Sequence, residues 1–174
     1  MKDTLQDIKT RRSCRKYTNE PVAQEDLEAV LEAGTYAATG HGTQSPRMVV
    51  VRDPALLARL SRMNAAVWGR SVDPFYGAPV AVVVLADKKA PTGRQDAVLV
   101  MGNLMLAAHA VGLGSCWINR AKEMFATEEG AVLLSDWWVD PTQYEGMGIC
   151  ILGHAAEGGE AAAKPRKPDY ITYV

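Results

Sequence analysis

The sequence contains few cysteines and histidines, and this scarcity excludes several kinds of site. Its 174 residues include three cysteines and three histidines. They form no CxxC pair and no HExxH spacing, so we predict neither a disulfide framework nor a metal site. An odd number of separated cysteines favours reduced thiols, and we therefore expect a cytoplasmic protein.

The chain also lacks an excess of charge of either sign. Its 19 Lys and Arg residues are matched by 20 Asp and Glu residues, which gives a net charge of −1 and a pI of about 6.3. A protein that binds nucleic acid by neutralising many phosphates is expected to be strongly basic. We therefore predict no nucleic-acid partner.

Long apolar runs are missing as well. No stretch approaches the roughly 18 uncharged apolar residues that a membrane-spanning helix requires. The opening segment, MKDTLQDIKTRRS, lacks the apolar centre of a secretory signal. We expect no membrane partner. A length of 174 residues is typical of one domain with its own hydrophobic core, so we predict a single domain over 1–174.

Helix and strand patterns alternate along the chain. Helices are predicted over 4–12, 24–38, from Asp53 onward, over 96–114, and over 121–138 with a break near Gly130. Strands are predicted over 47–52, 78–86, 115–118 and 146–155. This alternation favours an α/β or α+β fold with helices covering a sheet, and the pattern leaves open whether the sheet is parallel.

Two of these segments and the C-terminal tail have distinctive compositions. The strand at 78–86 is continuously apolar, which indicates that both of its faces are buried. The helix at 96–114 is apolar nearly all round, which predicts a central, buried helix. Residues 155–174 begin with an Ala-, Gly- and Pro-rich stretch and are predicted to form an extended tail.

The segment RRSCRKY, residues 11–17, concentrates positive charge around one serine. A second basic cluster, KPRK, lies in the tail at 164–167. Guanidinium forks and a serine hydroxyl match phosphate oxygens, so the two clusters could converge on one dianionic ligand. Basic residues at a helix C-terminus are also common without any ligand, and this alternative remains open.

Several familiar site motifs are missing. The chain has no GxGxxG that opens a helix, no P-loop and no GxSxG, which argues against the usual dinucleotide fold, a P-loop enzyme and a serine hydrolase. Arginines flank Cys14, which could activate its thiol, but no histidine or second cysteine is near it in sequence. We predict no catalytic side chain.

The loop at 37–48, AATGHGTQSPRM, is rich in small residues. Gly40 and Gly42 would let the backbone approach a flat ligand closely. An ordinary connection between a helix and a strand also favours Gly and Ser, so the loop alone does not indicate a site.

Six segments in order along the chain resemble the FMN-dependent nitroreductase family. They are RRSCRKY, ATGHGTQSP, SRMNAA, DPFYGAPVAVVV, NLMLAAHAVGLGSCWI and KPRKPDYITYV. The resemblance covers essentially the whole chain. It implies an α+β nitroreductase-like fold with a central mixed, mostly antiparallel sheet flanked by helices. It also implies an intertwined homodimer with FMN sites across the subunit interface.

The resemblance also implies which residues contact FMN. They are Arg11, Arg12, Ser13, Arg15, Ala38, Thr39, Gly40, Gly42, Asn64, Trp117, Ile118, Asn119, Lys164 and Arg166. The basic residues and the serine would hold the phosphate and ribityl chain, and the residues at 38–42 would come from the partner subunit. Asn64 would bond the pyrimidine edge of the flavin. The residues at 117–119 would run along the ring, with the Asn119 N–H aimed at flavin N5.

Two positions depart from the family pattern. Many members have asparagine where this chain has Gly42, so one side-chain contact is lost. Members with a lysine three residues after the Asn64 position use it near flavin O2. Here Val67 occupies that position, and Arg70 is the nearest cation in sequence.

The activity implied by the resemblance is that of an FMN-dependent oxidoreductase. Hydride would pass from NAD(P)H through flavin N5 to nitroaromatic, quinone or similar acceptors by ping-pong turnover, which needs no protein nucleophile. One alternative is a flavin-binding or carrier protein with little NAD(P)H turnover, or one reduced by a protein electron donor. A further alternative is a phosphate site for another nucleotide.

Overall fold

A computed structural model of the protein describes residues 4–174, in which helices pack on both faces of a four-stranded sheet. The helices are α1 (Thr4–Thr10), α2 (Gln24–Thr35), α3 (Pro54–Trp68), α4 (Gly93–Ala110), α5 (Ala121–Phe125) and α6 (Glu128–Asp136). The strands are β1 (Arg47–Val51), β2 (Val80–Asp87), β3 (Gly114–Ile118) and β4 (Tyr144–Gly153). A short 3-10 turn covers Gly40–Gly42. Among the described residues, none of the helices is long and apolar enough to cross a membrane.

The sheet has the strand order β1-β2-β4-β3, and all three pairings are antiparallel. The predicted α+β fold with an antiparallel sheet and flanking helices is therefore confirmed. The expected mixture of parallel and antiparallel pairings is not found among these four strands. Parallel pairing occurs instead in an isolated bridge between Ser13 and Ser115, beside β3.

Strand β2 lies inside the sheet and is buried on both faces, as its apolar run predicts. Val82 and Val84 belong to one core with residues of α2 and α4. Val83 and Leu85 belong to the other core with residues of α3, α5 and α6. Side chains alternate across a strand, so a strand between two helical layers must be apolar at every position.

Local hydrogen bonds explain where two of the helices begin. The Asp53 carboxylate accepts from the Leu56 N–H at 2.8 Å and precedes Pro54, so the predicted start of α3 is confirmed. The segment predicted as one helix over 121–138 forms α5 and α6. Its break lies at Thr127, whose hydroxyl accepts from the Gly130 N–H at 3.0 Å and caps α6.

Helix α4 is buried on one side only, so the prediction of a helix buried all round is wrong for the single chain. Val100 and Leu104 are buried against the sheet and α2. Val98 is 43% exposed and Leu99 is 48% exposed. An apolar face left uncovered on the longest helix is available for a partner surface.

The C-terminal tail contains no helix or extended strand among the described residues. Isolated bridges join Tyr17 to Ala155 and Cys14 to Glu160, so the start of the tail lies beside the basic segment. From Glu160 onward every residue is exposed.

Gly146 of β4 allows α5 to pack closely against the sheet. A Cβ at this position would overlap the backbone carbonyl of Ala121, the first residue of α5. We expect Gly146→Ala to lower the free energy of unfolding by about 1–3 kcal/mol, because the backbone must shift to make room. Denaturant unfolding measures this change, and an unaltered midpoint would contradict the close packing.

Candidate functional site

The basic segment leaves α1 and runs between β3 and the start of the tail. The Cys14 N–H donates to the Ser115 carbonyl, and the Arg15 N–H donates to the Gly159 carbonyl, both at 2.8 Å. Cys14 itself is fully buried. The segment is thus fixed by backbone hydrogen bonds on two sides, which sets the positions of Arg11, Ser13 and Arg15.

Two buried donors in this region have no hydrogen-bond partner within residues 4–174. They are Nη1 of Arg11 and the hydroxyl of Ser115. A buried donor without a partner costs about 1–3 kcal/mol, so a folded protein rarely retains one without a use. A phosphate offers acceptor oxygens of the kind that each of these donors lacks. The residues therefore fit an anion of this kind.

The surroundings of Cys116 on β3 show which other groups face this region. Burial raises the pKa of the Cys116 thiol, while the positive charges of Arg15 and Arg11 and a hydrogen bond with Ser13 act in the opposite direction. The charges of Arg11 and Arg15 thus act on a thiol of β3, and the Ser13 side chain contacts it. An isolated bridge joins Ser13 to Ser115, so the basic segment runs directly beside β3. The buried hydroxyl of Ser115, which sequence reasoning did not select, leaves this strand on the face opposite to the Cys116 thiol.

The guanidinium of Arg12 is engaged elsewhere. Its Nη1 donates to the carbonyls of Lys9 and Arg11, at 2.8 and 2.6 Å, and so satisfies backbone acceptors at the end of α1. In the single chain the Arg12 side chain is therefore bonded to backbone at the C-terminal end of α1. Its contact with a phosphate remains a prediction.

The basic residues of the tail lie beyond the part that the bridges hold. Glu160 pairs with Cys14, whereas Lys164 and Arg166 are exposed. The Arg166 guanidinium donates to the carbonyl of Lys164, at 2.6 Å from Nη2. Convergence of the tail on the N-terminal cluster therefore remains a prediction.

Cys14 and Lys16 lie within the basic segment, and their polar groups donate to backbone carbonyls. Burial raises the pKa of the Cys14 thiol, and its Sγ–H donates to the carbonyl of Lys16 at 3.2 Å. A buried, protonated thiol is a poor nucleophile. Lys16 Nζ donates to the Glu157 carbonyl at 3.2 Å.

The glycine-containing loop is anchored by Asp96, a buried residue of α4. Its Oδ1 accepts from the Gly40 N–H at 3.0 Å, and its Oδ2 accepts from the hydroxyls of Ser45 and Thr92 at 3.2 and 3.1 Å. Asp96 is only 2% exposed. It fixes the loop that carries Ala38, Thr39, Gly40 and Gly42, the residues predicted to reach the partner's FMN.

No local pattern singles out Asp96, because two of its three partners lie in the distant loop at 37–48. Gly40 lies 56 positions away in sequence and Ser45 lies 51 positions away. The only local signal was Thr92, four residues earlier at the start of α4. Gly40 itself must lack a side chain, since a Cβ there would overlap the Thr92 hydroxyl.

The structure places Asn64 beside Asn119, two of the residues that the resemblance assigns to the flavin. Asn64 is fully buried on α3, and its Nδ2 donates to the Asn119 carbonyl at 2.7 Å. Its Oδ1 accepts from Nε of Arg120 at 3.1 Å. Both ends of the Asn64 amide are thus engaged inside the protein. Arg120 is a site candidate that sequence reasoning missed, because the contact spans 56 positions.

The side chains of Trp117 and Ile118 leave β3 in opposite directions. Ile118 is 5% exposed and lies in the core with α3 and α5. Trp117 packs against the other core, and a Cβ on Gly148 would overlap its indole. The backbone of these residues is therefore the part that would follow a flavin ring.

A separate groove of about 910 Å³ lies along α3 and the segment that follows it. Leu57, Ala65, Phe75 and Pro79 provide apolar lining, and Arg70 lies at the same groove. None of the predicted FMN-binding residues lines it. The buried donors on Arg11 and Ser115 are thus distinct from this groove.

The fold and the site together define an α+β protein with two buried donors that find no partner within residues 4–174. The chain belongs to the nitroreductase family: the Nitroreductase family model matches residues 8–71 and 68–154. The family predicted from the six sequence segments is therefore confirmed.

Individual relatives agree with this assignment. The crystal structure of a nitroreductase with bound FMN from Bacteroides fragilis is 29% identical in sequence, with a TM-score of 0.90 over 100% of both chains. A protein of Archaeoglobus fulgidus, provisionally named NADH dehydrogenase/NAD(P)H nitroreductase, is 33% identical over 137 residues, covering 74% of this chain and 76% of that one. The FMN reductase [NAD(P)H] of Bacillus subtilis is 26% identical over an alignment 185 positions long, which covers 97% of this chain and 71% of that one.

Proposed function

We propose that this protein is an FMN-dependent NAD(P)H oxidoreductase. The proposal is supported by the family, by the FMN bound in the Bacteroides fragilis nitroreductase, and by the activity in the name of the Bacillus subtilis relative. The observation that carries it is that buried donors on Arg11 and Ser115 have no partner in the described part of the chain. A single FMN-binding domain over 1–174, with 155–174 as its tail, is part of this proposal.

In this proposal the chain's own residues bind and orient the cofactor. Arg11, Ser13, Arg15 and Ser115 hold the phosphate, and Arg12, Lys164 and Arg166 add charge from α1 and the tail. Asn64 fixes the turn after β3 by its bond to the Asn119 carbonyl, so that the Asn119 N–H meets the flavin ring. The loop anchored by Asp96 supplies backbone to the FMN site of the partner subunit.

The redox chemistry itself belongs to the cofactor. Bound FMN would accept hydride from NAD(P)H at N5 and deliver the electrons to a nitroaromatic, quinone or similar acceptor in a ping-pong cycle. The protein then needs no nucleophile. All three cysteines are buried, which agrees with this expectation. Burial raises the pKa of each thiol, and that of Cys150 reaches about 12.

Absorbance spectroscopy of the purified protein tests this proposal. Yellow protein with a flavin spectrum, bleached anaerobically by NADH or NADPH and reoxidised by a quinone or nitro compound, is the expected result. Colourless protein that binds no added FMN would contradict the proposal. Yellow protein that neither nicotinamide bleaches would instead favour a flavin carrier or a protein electron donor.

We also propose that the protein is a homodimer joined through α4. The supporting observation is the exposed apolar face that includes Val98 and Leu99, on a helix whose other face is core. A site whose loop residues come from a second subunit requires such an assembly. Two copies of this face would bury each other's apolar surface.

Leu99→Glu is expected to convert the dimer to monomers, because a carboxylate would be buried in an apolar interface. Light scattering after size exclusion measures the change in mass. Val132→Glu on α6 is the matched control, since Val132 is 50% exposed and Leu99 is 48% exposed. Dimers retained by the Leu99 variant, or monomeric wild-type protein, would exclude this interface.

A further inference from the structure

Helix α1, which leads into the basic segment, is short and has little apolar packing in the single chain. An isolated helix of fewer than about 12–15 residues is marginal in water, and α1 has seven. Leu5 is 63% exposed and Ile8 is 53% exposed, whereas the buried residue of this helix is Asp7. The last turn of α1, which precedes Arg11, therefore depends on polar contacts for its position.

One such polar contact joins α1 to His109, which lies near the end of α4. Nε2 of His109 is 2.8 Å from the Thr10 hydroxyl. That hydroxyl donates its single proton to the Gln6 carbonyl at 2.8 Å, so it accepts from His109, and Nε2 carries the hydrogen. His109 is therefore the donor in a hydrogen bond that holds the last residue of α1.

The same nitrogen faces the carboxylate of Asp7. The distance from Nε2 to Oδ1 of Asp7 is 4.0 Å, and this buried oxygen accepts no hydrogen bond within residues 4–174. That distance exceeds a hydrogen bond, but a donor N–H near a buried carboxylate oxygen is electrostatically favourable. The backbone carbonyl of Asp7 accepts from the Arg11 N–H at 2.9 Å, and Thr10 precedes Arg11 directly. His109 thus lies against both residues that fix the Arg11 backbone.

We propose that His109 is a positioning residue of the phosphate site, which acts by fixing the last turn of α1 and with it the Arg11 guanidinium. This inference rests on the proposed function. Nη1 of Arg11 is buried without a partner within residues 4–174, so it is oriented before any ligand binds. A donor that is already held loses little freedom when an anion binds, whereas a mobile arginine must first be ordered. His109 thus contributes to the affinity for FMN without touching FMN.

Affinities of the FMN-free protein for FMN and for riboflavin, measured by flavin fluorescence titration, test this assignment. His109→Phe keeps a ring but removes the donor. We expect it to lower the affinity for FMN about three- to tenfold, the effect of one lost hydrogen bond, and to leave the affinity for riboflavin unchanged. His109→Gln should recover most of the loss, since its amide can donate to the Thr10 hydroxyl.

Two further combinations test whether the effect passes through α1 and Arg11. Thr10→Val removes the acceptor, so it should reproduce the selective loss, and adding His109→Phe to it should have no further effect. In an Arg11→Met background, His109→Phe should likewise lower the affinity for FMN no further. Ser135→Ala is the matched control, because Ser135 on α6 donates to a carbonyl four residues earlier, as Thr10 does. It should leave both affinities unchanged.

Several results would overturn this inference in distinguishable ways. A lowered free energy of unfolding in His109→Phe, with an unchanged ratio of the FMN and riboflavin affinities, would assign His109 to the fold alone. Equal losses for both ligands would indicate an effect on the flavin ring instead of the phosphate site. A full further loss in the Arg11→Met background would show that His109 acts without Arg11. Wild-type protein that binds no FMN would reject the proposed function and this inference with it.

Discussion

Replacing Arg11 by methionine is expected to lower the affinity for FMN about 10- to 100-fold without destabilising the FMN-free protein. The guanidinium has a buried Nη1 with no hydrogen-bond partner in the described residues, so its removal sacrifices no internal bond at that atom. Methionine keeps much of the apolar stem. The lost interaction with a phosphate is a charge-assisted hydrogen bond, worth about 1.5–3 kcal/mol.

Titration with both FMN and riboflavin isolates the phosphate contribution. Riboflavin lacks the phosphate, so Arg11→Met should bind it as the wild type does while losing affinity for FMN. Arg15→Ala should behave like Arg11→Met. Lys16→Ala is the control, because Lys16 Nζ contacts the Glu157 carbonyl on the tail. Equal and negligible losses in all three variants would mean that the basic residues of RRSCRKY do not bind the phosphate.

The second large effect is expected at Asp96. Asp96→Ala removes a buried carboxylate and leaves three donors, on Gly40, Ser45 and Thr92, without their acceptor. We expect the free energy of unfolding to fall by about 2–4 kcal/mol. The loop at 37–48 should also lose its fixed conformation, so affinity for FMN and for riboflavin should fall together.

A conservative variant distinguishes the negative charge of the carboxylate from its positions as a hydrogen-bond acceptor. Asp96→Asn retains an oxygen for the Gly40 N–H, and hydroxyls can accept from the new amide, so about half of the loss in stability should be recovered. Denaturant unfolding and the two ligand titrations provide the measurements. If affinity fell for FMN but not for riboflavin, the loop would not contact the flavin ring, because the two ligands differ only in the phosphate.

Much of the fold was predictable because it depends on short-range patterns. The apolar run at 78–86 indicated a doubly buried strand, and Asp53 with Pro54 indicated the start of α3. The break predicted near Gly130 lies three residues before it, where the Thr127 hydroxyl caps the start of α6.

The site was only partly predictable, because its contacts join distant parts of the chain. RRSCRKY indicated an anion site from local charge, and the structure supports Arg11, Ser13 and Arg15 as neighbours. It places Arg12 on the end of α1 and adds Ser115. The composition around Ser115, an apolar strand with one hydroxyl, carries no signal of a ligand.

By itself, the sequence determined the family, the apolar strands and the basic segment, since each depends on residues that are adjacent or regularly spaced. Only the tertiary structure decided that Asp96 holds the glycine loop and that Asn64 holds Arg120 beside Trp68. These bonds connect residues about 50 or more positions apart. Their geometry is set by how helices pack on the sheet, which no local pattern encodes.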